Sequence, residues 1–395
     1  MKSQRQSNLL SLLSYLTLGV MGGIFNLYGG LLTGIAHNFN VRVDTAGNIV
    51  SALFIGYLCT VMAAGHLADR LGKVKMIITG LAIIIFALLG FTLVSAWFLA
   101  VLMQVLIGFG LGSVISSSVG LVSELNETSR SSALGITQGA VAAGSVGAYG
   151  LSVLVLEHSY SWRAPIIILL ALSTLLFLIH LTFLLGSSTL DRTPRSSPMN
   201  DTRPLLHSLI IRLLILINAT TVGSQTLLST YSAAYLELIL GSRASAAALA
   251  PLAFWLGLLI GRGLYSMIIE SLNQDRLWLS AGCLAAVSIL LASILRSASL
   301  IIVLVGLAGI FLGSQVPGAL ARSNTVYPRQ TGLASGVLFA SAGVGSVTMV
   351  TLGSLLSHIA SLEAILWLSL LSLTLSLVIM LIFVRKFPYR LLNRQ

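Results

Sequence analysis

The sequence predicts an all-α integral membrane protein with twelve transmembrane helices in two pseudo-symmetric six-helix bundles. Three observations carry that expectation. The chain of 395 residues is 56% hydrophobic and only 8% charged. A soluble domain carries about 25% charged residues, so this chain lacks the charge to cover a water-facing surface. Twelve apolar stretches each approach the roughly 20 residues that a bilayer crossing needs. One polar stretch of linker length, residues 187–207, rich in Ser, Pro and charge, divides the twelve into six and six.

The spans fall near residues 9–32, 47–64, 75–94, 97–122, 132–156 and 164–186 in the first half. In the second half they fall near 208–236, 245–268, 277–296, 299–320, 331–357 and 362–384. The expected domains are therefore a bundle over 1–186, a cytoplasmic linker over 187–207 and a bundle over 208–395. The run that follows Lys2 and Arg5 continues past Leu31 without a convincing cleavage site, and reads as an uncleaved first span.

The net charge of +11 could suggest nucleic acid, but the basic residues sit in short loops between apolar spans. With the N-terminus inside, eighteen of the 22 Lys and Arg face the cytoplasm, and only Arg42, Arg163, Arg243 and Arg296 face outward. That is the positive-inside pattern, with both termini cytoplasmic. A bacterial inner membrane is the expected location, and nucleic acid is not an expected partner. Cys59 and Cys283 lie in separate spans, so no disulfide framework is implied. No nucleotide-binding loop, metal-ligand cluster or nucleophile triad is visible, so neither enzyme activity, a cofactor nor a metal site is expected.

Charge in the first half is densest at Gly65-His66-Leu67-Ala68-Asp69-Arg70-Leu71-Gly72-Lys73-Val74-Lys75. The pattern Gly-x-x-x-Asp-Arg-x-Gly-Lys resembles the loop between helices 2 and 3 of the major facilitator superfamily of secondary transporters. The resemblance implies that Asp69 and Arg70 close the cytoplasmic side in one state and release it in another, with Gly65 and Gly72 allowing close packing and a turn. Lys73 keeps the expected cation, whereas Val74 stands where a second one is usual. Glu124 and Arg130, at the inner ends of spans 4 and 5, are the nearest candidate partners of this gate.

The halves repeat weakly, as this fold implies. Gly108-Phe109-Gly110-Leu111-Gly112-Ser113 corresponds to Gly309-Ile310-Phe311-Leu312-Gly313-Ser314, and Arg130 and Arg329 open matching glycine-rich spans. The second copy of the loop motif is eroded. Gly261-Arg262-Gly263 remains, while acidic residues arrive late as Glu270 and Asp275.

Span 1 places Tyr15, Gly19, Gly22, Asn26, Gly29 and Thr33 on one helical face, and span 7 places Asn218, Thr221, Gln225 and Ser229 on another, with Tyr231 and Tyr235 beyond. Amides in hydrocarbon need partners, so these faces point to protein or to a central cavity. Two readings stand: cavity lining, favoured for Asn26 and Gln225, and interhelical packing. Gln104, Gln138, Asn218, Tyr231, Trp255 and Gln315 complete the candidate substrate-binding set.

All eleven acidic residues sit in loops or at span ends. A buried cavity carboxylate, the usual device for proton coupling, is therefore not visible. His180, inside span 6, and Glu237, at the outer end of span 7, are the candidates for a proton relay. Two signatures of proton-driven drug exporters are also missing: Gln104 stands where they carry arginine, and span 5 has no Gly-Pro.

Gly313–Leu320, Thr331–Gly336 and Ala342–Ser346 resemble the fucose/galactose/glucose permease-like branch, although Val350 stands where that branch often has proline. The resemblances imply a secondary active or facilitative transporter that moves a small polar solute, a sugar among the options, by alternating access of two rocking bundles. Efflux of amphipathic compounds is the alternative. The expected partners are a small-molecule substrate, membrane lipid and an optional coupling proton or other ion, and the expected working form is a monomer.

Overall fold

The computed structural model describes residues 2–126, 130–186, 207–268, 273–327 and 331–389, without the side chains of 2–6, 62, 65–66, 69, 130–132, 134, 186 and 331–332. The expected linker therefore lies outside the described residues except for His207.

Sixteen α-helices occur among the described residues. They are α1 (Lys2–Asn26), α2 (Leu32–Phe39), α3 (Val43–Ala46), α4 (Asn48–Leu71), α5 (Lys73–Leu93), α6 (Trp97–Leu125), α7 (Arg130–Glu157) and α8 (Ala164–Gly186). Then follow α9 (Leu209–Leu238), α10 (Ala244–Ala247), α11 (Leu249–Ile268), α12 (Gln274–Ile294), α13 (Ala298–Leu312), α14 (Gln315–Val326), α15 (Thr331–Ile359) and α16 (Ala364–Lys386). Among the described residues, twelve helical segments are long and apolar enough to cross a membrane. The chain is a multi-pass integral membrane protein.

Two spans are broken. The first ends its α-helix at Asn26, tightens into a 3₁₀ turn over Leu27–Gly30 and resumes at Leu32. Gly29 and Gly30, poor helix formers, occupy that turn. The tenth breaks at Gly313 and Ser314, between α13 and α14. Pro317 explains it: proline has no N–H for the Gly313 carbonyl and its ring crowds that carbonyl.

The chain divides into two compact units, one of Met1–Asn40 with Ala52–Pro198, the other of Val41–Ser51 with Met199–Gln395. Val41–Ser51, at the start of the second span, groups with the second unit. Its hydrogen bonds show why. Ser354 Oγ donates to the Asp44 carbonyl at 2.7 Å, Tyr231 Oη donates to the same carbonyl at 3.5 Å, and the Ser51 and Thr351 hydroxyls meet at 3.1 Å.

Each unit is built on the same internal contacts. In the first, a Cβ on Gly144 of α7 would collide with the Gly19 carbonyl of α1, and one on Gly108 of α6 with the Leu53 carbonyl of α4. In the second, a Cβ on Gly345 of α15 would collide with the Ala219 carbonyl of α9, and one on Gly309 of α13 with the Phe254 carbonyl of α11. Both glycine pairs are 201 positions apart. Polar contacts follow the same register. The Asn26 amide donates to Ser145 Oγ at 3.0 Å, and the Thr226 and Ser346 hydroxyls meet at 2.8 Å. Lipid tails provide no hydrophobic drive between helices, so close backbone approach and such bonds hold the bundle.

At one end of the first unit, aromatic rings replace glycines as the packing device. Phe39 lies 5.7 Å from Trp97 and 6.2 Å from Trp162, and Phe91 is 5.9 Å from Trp162. Arg163 covers Trp162 at 4.7 Å and donates from Nε to the Thr92 carbonyl at 3.1 Å.

These contacts make the glycines unequal. Gly144→Val and Gly345→Val each force two backbones apart and are expected to cost about 3 kcal/mol or more, read as loss of the monodisperse peak in detergent. Gly139→Ala and Gly147→Ala add their carbon to open space. They are expected to stay within about 0.5 kcal/mol of the parent, read as an unchanged melting temperature.

Candidate functional site

The expected gate motif is mostly helix. Residues from Gly65 to Leu71 form the last two turns of α4, so the expected loop reduces to Gly72. Gly72 has φ +97°, a left-handed conformation that only glycine adopts without strain. The side chain of Asp69 lies outside the described residues, and Arg70 is exposed. Lys73 forms a salt bridge with Glu124, joining the start of α5 to the end of α6. Glu124, expected opposite Asp69 and Arg70, is thus engaged by Lys73. Arg130 opens α7, and its side chain also lies outside the described residues.

The second unit carries a matching pair with the charges exchanged. Asp275, in the first turn of α12, accepts from Arg322 Nη2 of α14 at 2.8 Å. Asn273 caps α12, its Oδ1 accepting from the N–H groups of Asp275 and Arg276, both at 3.1 Å. Arg322 is fully buried, donates from Nη1 to the Gly318 carbonyl at 3.0 Å and stacks on Trp278 at 4.1 Å. The Tyr389 N–H donates to the other Asp275 oxygen at 2.9 Å, tying down the segment after α16. Sequence reasoning missed this pair, because Asp275 read as a late remnant and Arg322 as one more inward charge. The available signal was an arginine four residues beyond Gly318 in a span otherwise free of charge.

The polar face of α9 divides its partners. Asn218 Nδ2 donates to the Leu338 carbonyl at 2.7 Å and Ser341 Oγ at 3.2 Å, both on α15. On the other side, the Thr221 and Ser376 hydroxyls meet at 2.7 Å, and those of Ser224 and Ser369 at 2.8 Å, both on α16. Gln315 is also engaged locally. Its Nε2 donates to the Trp278 carbonyl at 3.0 Å, and Trp278 Nε1 donates back to the Gln315 carbonyl at 3.1 Å. Tyr231 is fully buried against the Val41–Ser51 segment. Asn218, Gln315 and Tyr231 thus hold helices together in this structure.

Other members of the expected set keep unmet hydrogen-bonding capacity. Gln104 on α6 is fully buried, and neither its amide nitrogen nor its oxygen has a hydrogen-bond partner among the described residues. The Tyr28 hydroxyl, in the 3₁₀ turn of the broken first span, faces that amide but closes no hydrogen bond of normal geometry. In the second unit Gln225 Nε2 and Trp255 Nε1 are likewise buried without partners. Asn26 is half-buried beside the same break, with its amide donating to the Gly22 carbonyl at 3.1 Å as well as to Ser145. Gln138 is half-buried on α7 and is not without a partner. A buried polar group left unsatisfied costs about 1–3 kcal/mol. Gln104, Tyr28, Gln225 and Trp255, and Gln315 through its unpartnered Oε1, are therefore groups that a bound polar molecule would satisfy.

His180 is fully buried on α8, with Nδ1 2.9 Å from the Leu176 carbonyl of its own helix and Nε2 unpartnered. Glu237 is half-buried near the end of α9 and is not without a partner. Among the described residues, no group of three or more His, Cys, Asp or Glu could hold a metal ion.

Comparison with known proteins agrees with this architecture. The Major Facilitator Superfamily profile matches residues 13–295. The crystal structure of a D-xylose-proton symporter superposes with a TM-score of 0.74 at 14% identity, covering 94% of this chain and 96% of that one. The Major Facilitator Superfamily transporter FucP, in its outward conformation, superposes with a TM-score of 0.67 at 18% identity, covering 95% of this chain and 98% of that one. At these identities the likeness speaks for the fold alone. No curated protein sequence matches the chain. With a family profile matched over most of its length and twelve membrane-spanning helices, this chain is a membrane transporter rather than an enzyme, and it belongs to the Major Facilitator Superfamily.

Proposed function

We propose that the protein moves a small, uncharged polar solute, with a sugar as the foremost case, across a bacterial inner membrane by alternating access, with both termini cytoplasmic. The observation that carries this reading is the set of buried, unpartnered neutral groups: the Gln104 amide, the Tyr28 hydroxyl, Gln225 Nε2 and Trp255 Nε1. Within the first unit these offer neutral donors and an amide acceptor, and within the second an amide donor and an indole N–H, groups that suit hydroxyl-rich ligands better than ions. The fold is one that a D-xylose-proton symporter also uses, so it is compatible with this substrate class.

In this reading Lys73–Glu124 and Asp275–Arg322 brace the ends of their helices, and Asp69 and Arg70 bias which side is closed. The solute enters as a monomeric transporter's only small-molecule partner, with lipid as surroundings. Facilitated movement is the coupling mode that the side chains favour, because the acidic residues cluster at span ends. His180, with its leftover Nε2, is the position that a coupled proton would use.

Thermal stabilisation of the purified protein against sugars, amino acids, organic anions and hydrophobic cations tests the substrate class, since a ligand that binds only the folded state raises apparent stability. A sugar is expected to raise the melting temperature, and Gln225→Ala or Gln104→Ala to weaken its half-saturation roughly two- to tenfold, the scale of one neutral hydrogen bond. Stabilisation by hydrophobic cations alone would instead establish efflux of amphipathic compounds.

In proteoliposomes, His180→Phe is expected to leave downhill solute exchange intact and to leave no proton-driven accumulation to lose. An imposed pH gradient that drives uptake in the parent but not in this variant would show coupling through His180.

For the ends of the helices, Lys73→Gln and Glu124→Gln are each expected to lower the transport rate roughly two- to threefold, because Glu124 is largely exposed and such pairs are weak. The exchanged pair Lys73→Glu with Glu124→Lys is expected to recover most of the loss. Failure of the exchange to recover anything would mean that position rather than pairing matters.

A further inference from the structure

Among the described residues of the second unit, the most heavily bonded carboxylate belongs to neither helix-end pair described above. Asp44 lies in α3, only 4% exposed, in the segment Val41–Ser51. Its carboxylate is held from its own segment by Arg42, whose Nε donates to the two oxygens at 3.3 and 3.0 Å and whose Nη2 lies 2.9 Å from Oδ2. The Thr45 N–H donates to Oδ1 at 2.6 Å. From α15, His358 Nδ1 lies 3.2 Å from Oδ2. The backbone carbonyl of the same residue accepts from Ser354 of α15 and Tyr231 of α9. Gly47 packs so closely on the Tyr231 hydroxyl that a Cβ there would overlap it.

The segment is therefore seated by bonds that do not depend on pH and one that does. The titratable or charged groups facing Asp44 are Arg42 from its own segment, Tyr231 from α9 and His358 from α15. Arginine stays charged and a phenol stays neutral through the physiological range. Imidazole is the side chain that changes charge between about pH 5 and 8. The His358 side chain is 62% exposed, at the last turn of α15, whereas the Asp44 side chain is 5% exposed and held by the bonds above.

We propose that the Asp44–His358 pair is a proton-sensitive clasp that sets how firmly Val41–Ser51 is held to α9 and α15. Below the imidazole range the contact is an ion pair added to the pH-independent bonds. Above it the contact is at most a neutral hydrogen bond, and the segment is held less tightly. On the orientation proposed above, the clasp responds to pH outside the cell. It acts on the chain that leads into α4, whatever the transported solute is.

Spin-label distance measurements test this in the full-length protein, with Cys59→Ser and Cys283→Ser removing the native thiols and labels at Val43→Cys and Ala360→Cys. At about pH 5.5 a single short distance is expected. Near pH 8 a longer distance is expected to gain roughly two- to fivefold in population, the scale of one solvent-screened charge pair. His358→Gln is expected to give the alkaline distribution at both pH values, and His358→Lys, which keeps a cation, the acidic one at both. A parent distribution that ignores pH overturns the proposal, as does a pH response that survives His358→Gln. If His358→Gln does not fold, His358→Lys decides alone: a flat response supports the clasp and a persistent one overturns it.

Discussion

In hydrocarbon, no water is available to satisfy a backbone N–H or C=O, and the rest of this structure depends on that constraint. It makes the spans helical. It also removes the usual drive for helices to associate, because a leucine is as comfortable against lipid as against another leucine. What remains is close packing and hydrogen bonding between helices, and both are concentrated at a few positions. Gly144 against Gly19 and Gly345 against Ala219 bring backbones together. Hydroxyls such as Ser145, Ser224, Ser346 and Ser369 then bond across the gaps so created.

Charge obeys the same constraint in a different way. Among the described residues, charges pair across helices within one unit in three places: Lys73 with Glu124, Asp275 with Arg322, and Arg296 with Glu363, the last at 2.5 and 3.1 Å. The exposed Glu363 carboxyl is held below its ordinary range by the Arg296 guanidinium beside it. Buried neutral groups without partners are the exception to the economy of the bundle. Tyr28 and Gln104 in the first unit, and Gln225 and Trp255 in the second, are among them, and they are read as ligand contacts.

Much of this was legible in the sequence. Span count and approximate boundaries followed from apolar run length, which the bilayer thickness translates directly into helices. The internal repeat was visible in Gly108 and Gly309. Three features were not. The gate motif read as a loop because its charges suggested water, whereas a helix end satisfies the same charges and needs only Gly72 to turn. The attachment of Val41–Ser51 to the second unit depends on carbonyl and hydroxyl bonds to Ser354, Tyr231 and Thr351, which leave no periodic trace. The polar face of α9 looked uniform, since a helical wheel does not show that Asn218 meets α15 while Thr221 meets α16. For the candidate site, residue type picked out amides that the structure buries in the spans, such as Gln104 and Gln225, but which of them already had partners was a question of packing geometry alone.

The glycine contacts bear on how the two halves have drifted apart. Gln104 and Val305 occupy equivalent positions, as do Asp44 and Ser245, and neither pair shares any chemistry. Gly108 and Gly309, and likewise Gly144 and Gly345, remain identical because a single added carbon would strike a backbone. Side chains at equivalent positions of the two halves are thus free to differ where no backbone stands against them. Ancestry is written instead in positions that have no side chain at all.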